Sequence, residues 1–240
     1  MSQTFTLCIA TETLAQDAKQ LGVTVDDLKH ICVQVSTKIV QQPVLHLKLS
    51  YHIDLPTSSL ATQFNWPTWR AANVGFSDYL WEETCLECFV TGNSIKDEAN
   101  HANTTDSYIE INASPDGRYA LYQFESYRNP ATLPPTPLYH TDGHTRACID
   151  WADNFAQKLA VDAPLLSKST TASKLLSYER CFGVPLTQLS NQQYALSNTR
   201  LEYIHPCVIL KFGETILYFA PNHTSPPDFH NRDYWSRFEY

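Results

Sequence analysis

Two short segments with strict two-residue alternation constrain this chain more than any other feature. In Cys85-Leu-Glu-Cys-Phe-Val90, read as a strand, Leu86, Cys88 and Val90 share one face and Cys85, Glu87 and Phe89 the other. Tyr108 to Ala113 repeats the arrangement, with Ile109, Ile111 and Ala113 on one side and Tyr108, Glu110 and Asn112 on the other. A sheet built from both has one apolar side for packing and a second side carrying two glutamates, an asparagine and a tyrosine.

The same period runs through Ile31, Val33 and Val35 and through Leu45, Leu47, Leu49 and Tyr51, which gives two more strands. Phe5 to Ala10 reads as a first strand. Pro115-Asp116-Gly117 is turn chemistry that returns the chain into Arg118 to Glu125 as a hairpin. Leu201–Lys211 and Thr215–Ala220 form a second hairpin about Phe212-Gly213-Glu214, and the tail from Tyr234 closes the sheet. Leu14 to His30 tolerates helix, with Thr24 as an N-cap before Val25-Asp26-Asp27. His144 to Ile149 reads as a strand, Trp151 to Leu159 as a short helix or strand, and 163–190 as an insertion with a helical turn or two around Lys174 to Arg180.

Tyr, Phe, Trp and Thr are plentiful, fourteen Pro interrupt the chain, and long helical periodicity is scarce. The expectation is an all-β chain, an antiparallel β-sandwich of immunoglobulin-like or jelly-roll-like type with short helices in insertions. Its 240 residues suit a single domain over 1–240. A net charge of −8 argues against nucleic acid or an anionic membrane as partner, since both select a basic face. No run approaches the ~18 apolar residues of a membrane span. The N-terminus has no positively charged start or apolar core of a signal peptide. Seven cysteines without framework spacing fit a reducing cytoplasm.

Cys85-Leu-Glu-Cys88 has the spacing of a redox or zinc pair, but residues three apart on a strand point to opposite faces. His101, His140, His144, His223 and His230 lie in expected loops, without metal-binding spacing. No metal or cofactor is therefore expected. Glu87 and Glu110, on adjacent strands, have the composition of a glycosidase acid and base. They equally suit a site that accepts hydrogen bonds from a sugar, with aromatic surface beside them.

The run from Leu80 to Arg128 resembles the bacterial DOMON-like domains related to family-9 carbohydrate-binding modules. The match is carried by Leu80-Trp-Glu-Glu-Thr-Cys-Leu-Glu-Cys-Phe89, Tyr108 to Ala113, Ser114-Pro-Asp-Gly-Arg-Tyr-Ala-Leu-Tyr122, Tyr127-Arg128 and the close at Pro226-Pro-Asp-Phe-His230. The resemblance implies that Trp81 opens a strand and stacks on a sugar ring, with Glu87 bonding its hydroxyls. Glu110 and Asn112 supply further polar groups, although the family has a basic residue where Glu110 stands. Tyr122 and Arg128 fall in the matching motifs and join the candidate ligand-binding set. Trp235 or Phe229 would provide a second aromatic wall.

The reading is a non-catalytic binding domain for a small carbohydrate or similar polar ring. Its alternatives are a glycoside hydrolase using Glu87 and Glu110, and a haem-binding or protein-interaction domain with a vestigial groove. Met1 is the only methionine, so a Met/His haem site of the kind some relatives use is not available. The oligomeric state is left open.

Overall fold

The structure is a computed structural model that describes residues 2–41, 44–94, 106–140, 142–151, 176–186 and 199–239. The chain begins with β1 (Ser2–Ile9), followed by α1 (Leu14–Leu21) and α2 (Val25–Lys29). Gly22, with φ 65°, ends α1, so the expected helical region is two short helices. Thr24 caps α2 as its sequence predicts. Its hydroxyl accepts from Asp27 N–H at 3.0 Å, while the Asp27 carboxylate accepts from Thr24 N–H at 2.8 Å.

Strands β2 (Cys32–Gln41) and β3 (Leu45–Leu55) follow, then α3 (Ser58–Gln63) and the short β4 (Gly75–Phe76). Next come β5 (Cys85–Ser94), β6 (Tyr108–Ala113), β7 (Arg118–Phe124), β8 (Leu176–Pro185), β9 (Thr199–Phe212), β10 (Thr215–Ala220) and β11 (Ser236–Arg237). They join in the order β4-β7-β6-β5-β9-β10-β1-β2-β3-β8, with β11 added beside β9. β4 runs parallel to β7 and the other pairings are antiparallel, so the all-β expectation holds as one curled, mixed sheet.

The curl is made at β1. Ser2 to Leu7 pair with β2, whereas Cys8 and Ile9 pair with β10, so one strand serves two leaves. Val33, Val35, Leu49 and Ile53 from one leaf share a single buried cluster with Leu86, Cys88, Ile111 and Val208 from the other. Tyr51 on β3 is fully buried, and its hydroxyl donates to the Glu87 carbonyl on β5 at 2.7 Å. Arg180 on β8 reaches the other leaf through a bond from Nε to the Pro115 carbonyl at 2.8 Å. Removing the Tyr51 hydroxyl loses a buried hydrogen bond that joins the leaves. Tyr51→Phe is therefore expected to lower stability by about 1–2 kcal/mol, read from a chemical denaturation midpoint.

Three expectations need correction. Leu176 to Pro185, inside the expected insertion, is an edge strand that pairs with β3 along its length, so the turns around Lys174–Arg180 are extended from Leu176 onward. Arg180, Phe182 and Val184 all bury on the side facing the core, and Arg180 disguises that alternation. The rest of 163–190 apart from Leu186, and 152–159, lie outside the described residues. His144 to Ile149 forms no strand; isolated bridges, Tyr139 with Arg146 and Asp150 with Gly183, and the bonds from His144 and Thr145 N–H to Asp142 Oδ1 tie that segment down. Trp81 does not open β5 but sits in a 3₁₀ turn, Leu80–Glu82, ahead of it.

Both hairpins form where turn chemistry puts them. Gly213 has φ 57° between β9 and β10. Gly117 has φ 114° and lies so close to Arg70 and Val74 that a Cβ would meet both at 3.3 Å.

Candidate functional site

The second face of β7-β6-β5-β9 carries the candidate residues, as the period-2 reading requires. Register aligns them into two rows across the strands. One row runs Ala120, Asn112, Glu87, Cys207; the next runs Tyr122, Glu110, Phe89, His205. Glu87 and Glu110 are diagonal neighbours, a relation that sets Cα atoms roughly 7–8 Å apart.

This face is not the open surface that alternation alone suggests. Glu87 is 3 % exposed, Glu110 5 % and Asn112 0 %. Two distant segments cover it. The Leu80–Glu82 turn lies against β5, β6 and β7 and is anchored by fully buried Leu80. At the other end Phe229, His230 and Trp235 pack on Phe89, with ring centroids 6.4, 5.0 and 5.8 Å away. The result is a second apolar cluster around a polar centre.

The aromatic elements form a ladder at the first end. Tyr79 contacts Trp81 at 5.3 Å, and Trp81 contacts Tyr122 at 5.9 Å. Trp81 is half-buried and Tyr79 exposed. Tyr79 is held at φ 63°, in the left-handed region that a tyrosine rarely occupies. The Tyr122 hydroxyl donates to Asp78 Oδ1 at 2.7 Å.

Among the polar groups, Asn112 Nδ2 donates to Glu110 Oε1 at 2.6 Å, leaving Asn112 Oδ1 buried without a partner. His205, 1 % exposed, likewise has a buried Nδ1 with no partner. Tyr108 Oη accepts from Arg128 N–H at 3.1 Å and lies 2.7 Å from His230 Nδ1. That arrangement directs His230 Nε2 towards Glu110 Oε2, 3.8 Å away and beyond hydrogen-bond reach.

Burial dominates the electrostatics. It pushes the Glu87 carboxyl well above the usual carboxylate range, and the neighbouring Glu110 adds to this. It pushes Glu110 up to about 7, against smaller opposing contributions from the Asn112 bond and Arg128. The same burial lowers His205 to about 3 and His230 to about 4. At neutral pH both imidazoles are neutral, and burial favours the protonated form of Glu87. The pair is thus not the two plainly ionised acceptors that an exposed face would have given.

Of the sequence candidates, Trp81, Glu87, Glu110, Asn112 and Tyr122 come together at one end of this face. Arg128 stands at the rim, where its guanidinium binds Asp228 at 2.7 Å. Trp235 is buried at the opposite end, with its indole N–H donating to the Phe229 carbonyl at 2.9 Å. The sequence reading missed His205, Cys207 and Asp78, and it counted His230 as solvated. His205 and Cys207 were within reach of the parity of β9, since they alternate with core residues Ile204 and Val208. Cys85 and Cys88 face opposite sides, as expected. No group of three or more metal-ligating side chains occurs among the described residues.

No protein-family model matches the chain, and neither the curated proteins nor the solved structures contain a significant match to it.

Proposed function

We propose that this chain is a single, sandwich-type, non-catalytic binding domain whose ligand is a small carbohydrate or similar polar ring compound. The observation that carries the reading is the buried Asn112 Oδ1, left without a partner beside Glu87 and Glu110 and close to the Trp81–Tyr122 aromatic pair. A buried acceptor with no donor costs roughly 1–3 kcal/mol, which a ligand hydroxyl or N–H would recover. Aromatic rings offer flat apolar area to a sugar face while the polar row fixes its orientation. Strained Tyr79 beside Trp81 fits a clamp. The Leu80–Arg128 motifs, with their resemblance to DOMON-like and family-9 carbohydrate-binding modules, point the same way. Cysteines without disulfide-framework spacing fit a cytoplasmic location.

The test is calorimetry against a panel of mono- and disaccharides and amino sugars. The expected result is a binder in the roughly μM to mM range, lost in Trp81→Ala while the melting temperature falls by only a few degrees. A panel with no binder overturns the reading. A collapse of the fold in Trp81→Ala makes Trp81 a core residue and removes it from the site.

One observation favours a second reading, a glycoside hydrolase. A Glu87 whose burial favours the protonated form, beside a Glu110 that titrates near neutrality, is the pattern such chemistry uses. Aryl-glycoside turnover that vanishes in both Glu87→Gln and Glu110→Gln would establish it. The binding reading expects none.

A further inference from the structure

We infer that the ligand of this face carries a protonated amine, held by Asn112 Oδ1 and the Glu87 and Glu110 carboxyls; the inference rests on the binding reading above. Its basis is the inventory of donors and acceptors at the Trp81 end. Two of the protein donors there are already engaged with other protein groups. Asn112 Nδ2 serves Glu110, and the Tyr122 hydroxyl serves Asp78. The acceptors left with capacity there are Asn112 Oδ1, Glu110 Oε2 and the Glu87 carboxyl. The one donor aimed at them, His230 Nε2, stops 3.8 Å short of Glu110.

A neutral hydroxyl both donates and accepts. Enclosed among acceptors, it would bury lone pairs that nothing satisfies. An ammonium has three donors and no acceptor, so its hydrogen-bonding matches this set.

Charge argues the same way. Two carboxyls meet on this face with no protein cation committed to them among the described residues. Arg128, at the rim, is bound to Asp228, and Lys211 Nζ donates to the Glu82 carbonyl. A cationic ligand would favour the ionised forms of these carboxyls, which burial alone disfavours. The rings of Trp81 and Tyr122 would face that charge with the negative side of their π-systems. An amino sugar combines the ammonium with a ring that stacks, and so satisfies both halves of the site.

The experiment is calorimetric titration of the wild-type protein with glucosamine, glucose and N-acetylglucosamine, repeated with galactosamine and galactose. The three glucose compounds share a ring, and glucosamine alone carries a charge. The amines are expected to bind at least about ten-fold more tightly than their neutral counterparts, because charge-assisted bonds are the stronger ones. In Glu110→Gln that preference should shrink to within about three-fold, a change that thermodynamic linkage to a lost charge requires. Equal affinity for neutral and aminated sugars overturns the inference and leaves the binding reading standing. Absence of binding by every compound overturns both. The wild-type comparison decides the question even where the variant fails to fold.

Discussion

At about pH 8 the Glu110→Gln variant should melt above the wild-type protein, by roughly 5–10 °C, whereas near pH 4 the two should melt together. Glu110 is buried, and its carboxyl sits at about 7, above the ordinary glutamate value of 4.5 that holds in the unfolded chain. Between those values the folded protein holds a proton that the unfolded chain releases. The contribution of neutral Glu110 is therefore complete below the usual carboxylate range and is lost as pH rises through about 7. At alkaline pH a charge stays buried at a cost on the order of 2–3 kcal/mol, and glutamine, neutral at every pH, avoids it.

His205 and His230 act in the opposite sense. Both are depressed in the folded state, so their contribution is present above the ordinary imidazole value and lost as pH falls towards 4 and 3. The wild-type protein then has an acid limb set by histidines and an alkaline limb set by the Glu87–Glu110 pair. Glu110→Gln should relieve the alkaline limb and leave the acid one. Parallel melting curves at both pH values would show that Glu110 is solvated and that the two covering segments do not seal this face.

That buried polar centre marks where sequence reasoning succeeds and where it stops. The parity of Leu86, Cys88, Val90, Ile109 and Ile111 was legible because alternation is a local property, and all five face the first core. The fate of Glu87, Glu110 and Asn112 was not, because what covers them comes from Leu80–Glu82 and from Phe229 to Trp235. Those residues are brought to the face by tertiary packing, and no periodicity within β5 or β6 encodes it. Leu176–Pro185 was missed for a related reason. Its inward-facing Arg180 looks like a surface residue until the Pro115 carbonyl that receives its Nε is known. The left-handed Tyr79, which turns Trp81 out of the strand and towards Tyr122, has no local signature, since neither glycine nor asparagine marks the position. The hairpins and the α2 cap were legible because glycine and threonine act within three residues of themselves.

Phe89→Ala should be the most damaging single change on this face. Phe89 is 1 % exposed, with Tyr108, His205, Phe229, His230 and Trp235 all packed around its ring. Truncating a phenylalanine in such a place costs about 3–5 kcal/mol, part lost transfer energy and part residual cavity. For a chain of this size that corresponds to a melting temperature lower by on the order of 10 °C. The effect should exceed that of Tyr51→Phe, which removes one hydrogen bond and no packing volume. Because Phe229 and Trp235 rest on this ring, the variant should also expose the Trp235 indole and shift its emission to longer wavelength. Phe89→Leu, which keeps most of the volume, should cost less than about 1.5 kcal/mol. A Phe89→Ala variant that melts like the wild type would mean that the covering segment contributes nothing to stability. The face would then be the open polar surface that alternation alone describes, its carboxylates would titrate like exposed ones, and the case for an enclosed ammonium site would fall with it.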